Sequence, residues 1–317
     1  MPAPILTATV DPEVLNRAEE FAKEFAQAQP FRHVVVDNFL QAEFCQSLMR
    51  DFPPFDAVNA LNERGEVGNK ATQPDIARLS PAYRRFDLLM RDPAFLDFMG
   101  KIAGIADLLY DPDYVGGGTH ETRDGGDLDL HIDFNYHPRR PWHRRLNLIV
   151  FLNPEWDGAW GGCLELHRNA WVPEPESVRS VIPLANRAVL FETTEASWHG
   201  FTRVTLPPAR RDLSRRSLAV YFYTRQRPEA ETSTPHATVY VPPPLPPHLR
   251  PGHTLSDADV AALEGLLGRR DTQLQFLYDR ERKFTTLIEG VIGSPSFKLG
   301  RVLTSPARWM RRLRGRF

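Results

Sequence analysis

The chain has 317 residues, 42% hydrophobic and 25% charged, which are the proportions of a globular protein long enough to bury a core unaided. Its 39 basic and 40 acidic residues leave a net charge of −1, which argues against a general nucleic-acid coat, and two cysteines exclude a disulfide scaffold or a Cys-rich zinc module. No run of about 18 apolar residues is present to span a bilayer. The opening residues lack the charged and apolar regions of a secretory leader, so a reducing cytoplasm is the expected compartment.

In chain order, the first signal is helical. Asp11 is a cap, Pro12 suits the first helical position, and Val14, Leu15, Ala18, Phe21, Ala22 and Phe25 recur on one face. This predicts an N-terminal helix within 1–29. A short strand is expected at His33–Val36, a helix over about Gln41–Asp51 and an apolar helix over Ala94–Leu109. Beyond Tyr110 the pattern turns to short β-rich runs between Gly, Pro, Asn and Asp: Asp129–Phe134, Leu146–Leu152, Cys163–Leu166, Ser180–Ile182, Arg187–Glu192, Arg215–Tyr223 and Ala237–Val241. Such spacing predicts a sandwich, jelly roll or barrel. Helices before strands place the helices on one face of that core, giving an α+β chain that is mainly β. The β-rich domain is assigned to 30–228, a stiff Pro-rich linker to 229–254, and a helical extension, opened by Ser256 with Asp257 and Asp259, to 255–317.

Chemistry concentrates at His131-Ile132-Asp133. In a strand, positions i and i+2 project from the same face, so an imidazole and a carboxylate can take adjacent positions on a metal. His199, in Ser197-Trp198-His199-Gly200, is the candidate third ligand. Two histidines and one carboxylate on one side of a metal form the facial triad of non-haem Fe(II) oxygenases. Farther on, Arg215, Ser217, Ala219 and Tyr221 alternate along one strand, with Leu218, Val220 and Phe222 opposite. An arginine among small residues is a fork for a carboxylate. A metal at one end and a guanidinium at the other suit a short dicarboxylate.

The ordered motifs FRHVVVDNFL (31–40), GGGTH (116–120), HIDFN (131–135), RLNLIVFLN (145–153), GGCLEL (161–166), WHG (198–200) and RRSLAVYFY (215–223) make the chain resemble the Fe(II)- and 2-oxoglutarate-dependent dioxygenases, in their bacterial prolyl 4-hydroxylase-like group. The resemblance runs from about Pro30 to Arg225. It implies a distorted double-stranded β-helix, Fe(II) held by His131, Asp133 and His199, 2-oxoglutarate and O2 as cosubstrates, and ascorbate as an admissible accessory. Arg215 or Arg216 falls on the residue that pairs with the distal carboxylate of 2-oxoglutarate. Arg215 is preferred because Ser217 then shares its face. Phe151 stands where related hydroxylases often carry a tyrosine that touches the same carboxylate. That departure leaves more of the anchoring to Arg215 and Ser217. Asp133, a small residue in related halogenases, favours hydroxylation.

Other residues have plainer readings beside functional ones. His120 is expected as a solvated loop histidine, with substrate contact as the alternative. Asn135 either orients substrate or water or has no such role, and Asn147 either faces the pocket or ends a turn. Arg139, Arg140, Arg144 and Arg145 are expected on a solvated, ion-paired loop rather than as a docking patch for an acidic substrate. The basic stretch with Arg203, Arg210 and Arg211 is a lid or a substrate contact. Cys45 and Cys163 are expected as buried thiols, and most tryptophans as packing.

Residues 294–317 hold seven basic and no acidic side chains, so this tail is +7 and the remainder −8. Interleaved with Phe297, Leu299, Trp309 and Leu313, it suits peripheral contact with an anionic inner membrane surface, or a disordered or partner-binding extension. The expected substrate is prolyl, small-molecule or glycan-linked, with no nucleic acid, and no oligomeric state is assigned. A cupin-like metal isomerase or ligand-binding protein that does not use 2-oxoglutarate is the second reading. It assigns no role to Arg215.

Overall fold

The computed structural model describes residues 4–60, 68–172 and 178–303, the side chain of Val302 excepted. The chain divides into two compact units, Met1–Pro243 and Pro244–Phe317.

The N-terminal segment is three helices, not one: α1 (Ile5–Thr9), α2 (Pro12–Asn16) and α3 (Ala18–Gln27). Asp11 caps α2, its carboxylate accepting from the Glu13 N–H, and the helical path breaks at Arg17. After strand β1 (His33–Val36) come α4 (Ala42–Arg50) and an edge strand, β2 (Lys70–Gln73). The helix expected over Ala94–Leu109 is α6 (Pro93–Ala103), ended by Gly104 in the left-handed region at φ 68°. It is preceded by α5 (Pro81–Met90), which the expected elements did not include. Ser80 caps α5 and Asp92 caps α6, each followed by proline.

Ten more strands and two helices follow among the described residues. They are β3 (Leu109–Tyr110), β4 (Gly118–Thr122), β5 (Leu128–Ile132), β6 (His143–Phe151), β7 (Leu164–His167), β8 (Val178–Val181), β9 (Ala188–Glu192), β10 (Trp198–Phe201), β11 (Arg215–Thr224) and β12 (Val239–Val241), then α7 (Asp257–Gly293) and α8 (Pro295–Leu303). The larger sheet runs β1-β9-β6-β11-β4-β2, with β3 also on β11, and the smaller runs β12-β5-β10-β7-β8. The ladders between these strands are antiparallel. This is the distorted double-stranded β-helix. The last strand, β12, pairs with β5 and so lies inside the stretch assigned to a linker.

Alternation along β6 and β11 sets the layers. Leu146, Leu148, Val150, Leu218, Val220 and Phe222 pack into the core shared with Phe21, Phe86, Phe95 and Ile102 of the helices. Ile149, Phe151 and Ala219 turn the other way, against Leu164, Leu166 and Val181 of the smaller sheet. The space between the sheets is thus closed by apolar packing at one end and left for polar side chains at the other.

Of the basic tail, 304–317 lies outside the described residues. Among the described residues no helix is long and apolar enough to cross a membrane.

Candidate metal and anion site between the sheets

His131 on β5 and His199 on β10 are directly opposed in the ladder, so their rings leave the same face. The ring centroids are 4.2 Å apart. Asp133 lies just past the end of β5. Its Oδ1 is 3.8 Å from His131 Nε2 and its Oδ2 is 3.6 Å from His199 Nε2. All three side chains are nearly inaccessible to solvent, and Asp133 Oδ2 has no hydrogen-bond partner.

Both histidines are oriented alike. His131 Nδ1 is 2.9 Å from the Asp129 carbonyl oxygen, and His199 Nδ1 is 2.9 Å from that of Ser197. An Nδ1–H donated to each carbonyl leaves both Nε2 lone pairs facing Asp133. Burial, with His199 beside it, pushes His131 down to about 3, and burial also lowers His199. Burial alone would raise the Asp133 carboxyl, but Arg144, His199 and His131 together hold it below its ordinary value. At neutral pH the cluster is therefore two neutral imidazoles and one carboxylate. This donor set, with an orphaned buried oxygen, fits a divalent cation.

Two other His/Asp clusters have internal partners. In Asp111/Asp113/His137, His137 Nδ1 accepts from the Arg139 N–H, its Nε2 is 3.2 Å from Asp111, and Arg140 pairs with Asp113. In His248/His253/Asp259, Asp259 forms the capping box of α7 with Ser256 and contacts both histidines.

The triad opens into a cavity of about 230 Å³ that is also lined by Lys70, His120, Arg144, Asn147, Arg215 and Ser217. Arg215 faces inward and is 4% exposed. Its Nε donates to the Gly162 carbonyl at 2.6 Å, and its guanidinium lies 4.1 Å from the Phe201 ring centroid. Gly162 has φ +67°, and a Cβ there would meet Val204 at 3.0 Å and the Arg215 side chain at 3.2 Å. The glycine is therefore the cradle of the arginine. No carboxylate pairs with Arg215 among the described residues, and burial pushes it down to about 9, still cationic at neutral pH. Arg216 points away, to Ser214, Glu121 and the Phe52 ring. Ser217, also buried, shares the cavity with Arg215.

Several expectations change. Arg144 is not on a solvated loop: it is 1% exposed on β6, with Nη1 3.3 Å from Asp133 Oδ1 and its guanidinium 3.4 Å from the Tyr221 ring centroid. The cause is a bulge. Leu146 pairs with Phe222 but Arg144 pairs with Tyr223, so Arg145 is the extra residue and Arg144 is turned inward. Arg145 is also buried, against Glu192 and Glu231. His120 is on a strand, not a loop, and lines the cavity, where burial and Lys70 lower it well below its ordinary value.

Asn135 instead pins the segment before β12, bonding Ser233, Thr234 and His236. Asn147 does face the cavity, with Oδ1 unpartnered. Arg203, Arg210 and Arg211 pair with Asp127, Glu155 and Asp124 and do not line the cavity. Cys45 and Cys163 are buried free thiols.

Two lining residues had no sequence signal. Lys70 lies on the four-residue edge strand β2, and burial lowers its ammonium to about 8. Tyr240 on β12 sits opposite His131, with ring centroids 5.2 Å apart.

The triad and the buried arginine are the donor set expected of an Fe(II)/2-oxoglutarate oxygenase, and the chain is similar to proteins of that kind. Residues 117–223 match the family model described as the 2OG-Fe(II) oxygenase superfamily. A relative, mouse prolyl 3-hydroxylase OGFOD1, is 27% identical over 235 residues, covering 71% of this chain and 38% of that protein. The chain thus spans well under half of that relative's length. Among solved structures, a Pseudomonas putida prolyl 4-hydroxylase aligns with TM-score 0.44 and 18% identity over 66% of this chain and all of that one. A Phytophthora capsici prolyl 4-hydroxylase aligns with TM-score 0.47 and 17% identity over 97% and 95% of the two chains.

Proposed function

We propose that the chain is a hydroxylase in which His131, Asp133 and His199 hold Fe(II) and Arg215, with Ser217, holds the distal carboxylate of 2-oxoglutarate. The observation that carries this is the placement of Arg215: a buried guanidinium paired with no carboxylate among the described residues, in the same small cavity as the triad. A cupin-like metal protein has no use for that residue. When bound, the iron with 2-oxoglutarate and O2 supplies the power to insert oxygen into an unactivated C–H bond, with succinate and CO2 as coproducts.

The chain's own residues supply geometry and charge. The backbone carbonyls of Asp129 and Ser197 fix the imidazole tautomers, and Arg144 orients Asp133. Lys70, Arg144 and Arg215 outnumber the one lining carboxylate, so the cavity favours anionic ligands. Arg144 Nε and Nη2 are buried without partners and offer donors to a substrate carbonyl or water. The substrate class is prolyl, small-molecule or glycan-linked.

Succinate release in the presence of Fe(II), 2-oxoglutarate and a panel of these substrates tests the proposal. His131→Ala must abolish it, and turnover retained in that variant refutes the assignment. For 294–317, the seven basic residues support peripheral contact with an anionic bilayer. Cosedimentation with phosphatidylserine vesicles, lost on truncation after Gly293, checks that contact.

A further inference from the structure

Helix α7 is 37 residues long, yet it carries an apolar row that is open to solvent. From Val260 the positions at alternating steps of three and four residues run to Val291. All are apolar except Arg270 and Glu281. Seven of these apolar side chains, Leu263 excepted, are between 41% and 61% exposed. A 3-4 spacing held over five heptads is the seam of a coiled coil. The four glycines of the helix, 265, 268, 290 and 293, all fall off the seam. Glycines weaken a lone helix, so α7 needs a packed face.

The seam is also symmetric about its centre, between Gln275 and Phe276. If a second α7 is laid antiparallel about that point, Val260 meets Val291 and Leu263 meets Ile288. Leu267 meets Phe284, and Leu274 meets Leu277. The two charged seam residues meet each other, Arg270 against Glu281 of the other copy, twice. A parallel, in-register pairing would instead oppose Arg270 with Arg270 and Glu281 with Glu281 in the apolar seam. Flanking positions agree: Leu266 and Leu287 lie beside the seam at places that approach each other only in the antiparallel arrangement.

We infer that α7 pairs with α7 of a second copy of this chain as an antiparallel coiled coil. The occupant is set by charge complementarity, because one helix supplies both partners of the Arg270–Glu281 pair at mirror positions. The seam is about 47 Å long at 1.5 Å per residue. This pairing does not depend on the chemistry at His131, Asp133 and His199.

Sedimentation equilibrium of the full chain at micromolar concentration is the test. The expected mass is twice 36.1 kDa. Glu281→Arg or Arg270→Glu alone puts like charges together in both polar layers and is expected to raise the dimer dissociation constant roughly a hundredfold or more. The double variant R270E/E281R restores opposite charges only in the antiparallel register, and must return the protein to a dimer. That rescue keeps the test decisive if a single variant folds poorly. A wild-type protein that stays monomeric, a dimer indifferent to the single changes, or a double variant that is not rescued would each overturn the inference.

Discussion

Arg144 Nη1 lies 3.3 Å from Asp133 Oδ1, in a setting where the arginine is 1% exposed and stacked on Tyr221. The pair is buried, so its two halves depend on each other. Arg144→Ala leaves a buried carboxylate without its counter-charge, which costs roughly 3–5 kcal/mol. It also frees Asp133 to turn, which for a residue orienting a metal ligand lowers metal affinity about 10–100-fold. Urea unfolding and metal titration of the variant measure both effects, and Arg144→Lys is expected to recover part of the stability.

Metal loading should stabilise the fold. A divalent ion at about 100 times its Kd adds about 2.7 kcal/mol. Thermal unfolding with and without Fe(II) under anaerobic conditions is expected to show this shift. His131→Ala, Asp133→Ala and His199→Ala should each remove it, while His248→Ala should not.

The apo-protein should lose stability as pH falls below about 6.5. His131 and His199 have folded values below the ordinary imidazole value, so the unfolded chain binds more protons. Their contribution is therefore complete above about 6.5 and is lost as pH falls toward the folded values. One pH unit below 6.5 the loss is about 1.4 kcal/mol for His131, and His199 adds to it with the same sign. Asp133, also held low, acts with the same sign at lower pH. Urea midpoints of metal-free protein at pH 7.5 and 5.5 check this. An unchanged midpoint would mean that these rings protonate freely in the folded state.

Arg215 and Arg216 are adjacent in sequence and face opposite ways, one into the cavity and the other toward Glu121 and Phe52. A hydrogen-bonded charge is worth about 1.5–3 kcal/mol, so Arg215→Ala should weaken 2-oxoglutarate binding roughly 10–150-fold. Arg216→Ala should leave it unchanged, because that side chain faces Glu121 and Phe52. Gly162→Ala should mimic the loss of Arg215 in part, since the added Cβ crowds the arginine and φ is +67°. Calorimetric titration of the cosubstrate into each variant separates these outcomes.

Much of the site was legible because strand periodicity is rigid. His131 and Asp133 at i and i+2, and the alternation Arg215, Ser217, Ala219, Tyr221, fix which side chains share a face before any contact is known. His199 was legible from its motif, although it lies in its own strand opposite His131, which local pattern alone does not show. Arg144 was misplaced because a single-residue bulge reverses the face it occupies, and a bulge leaves no hydrophobic signature. Lys70 was missed because β2 is a four-residue edge strand whose position depends wholly on pairing with β4. The broken N-terminal helix and α5 were hidden by short lengths, where caps decide the outcome and periodicity has little room to appear.

The most direct test of the central claim is anaerobic titration of the Fe(II)-loaded protein with 2-oxoglutarate, followed by visible absorption. The account predicts a weak metal-to-ligand charge-transfer band that saturates with cosubstrate, shifts to higher concentration in Arg215→Ala and is absent in His131→Ala. A folded, metal-loaded protein that never develops the band would contradict it and return the site to a metal centre that does not bind 2-oxoglutarate.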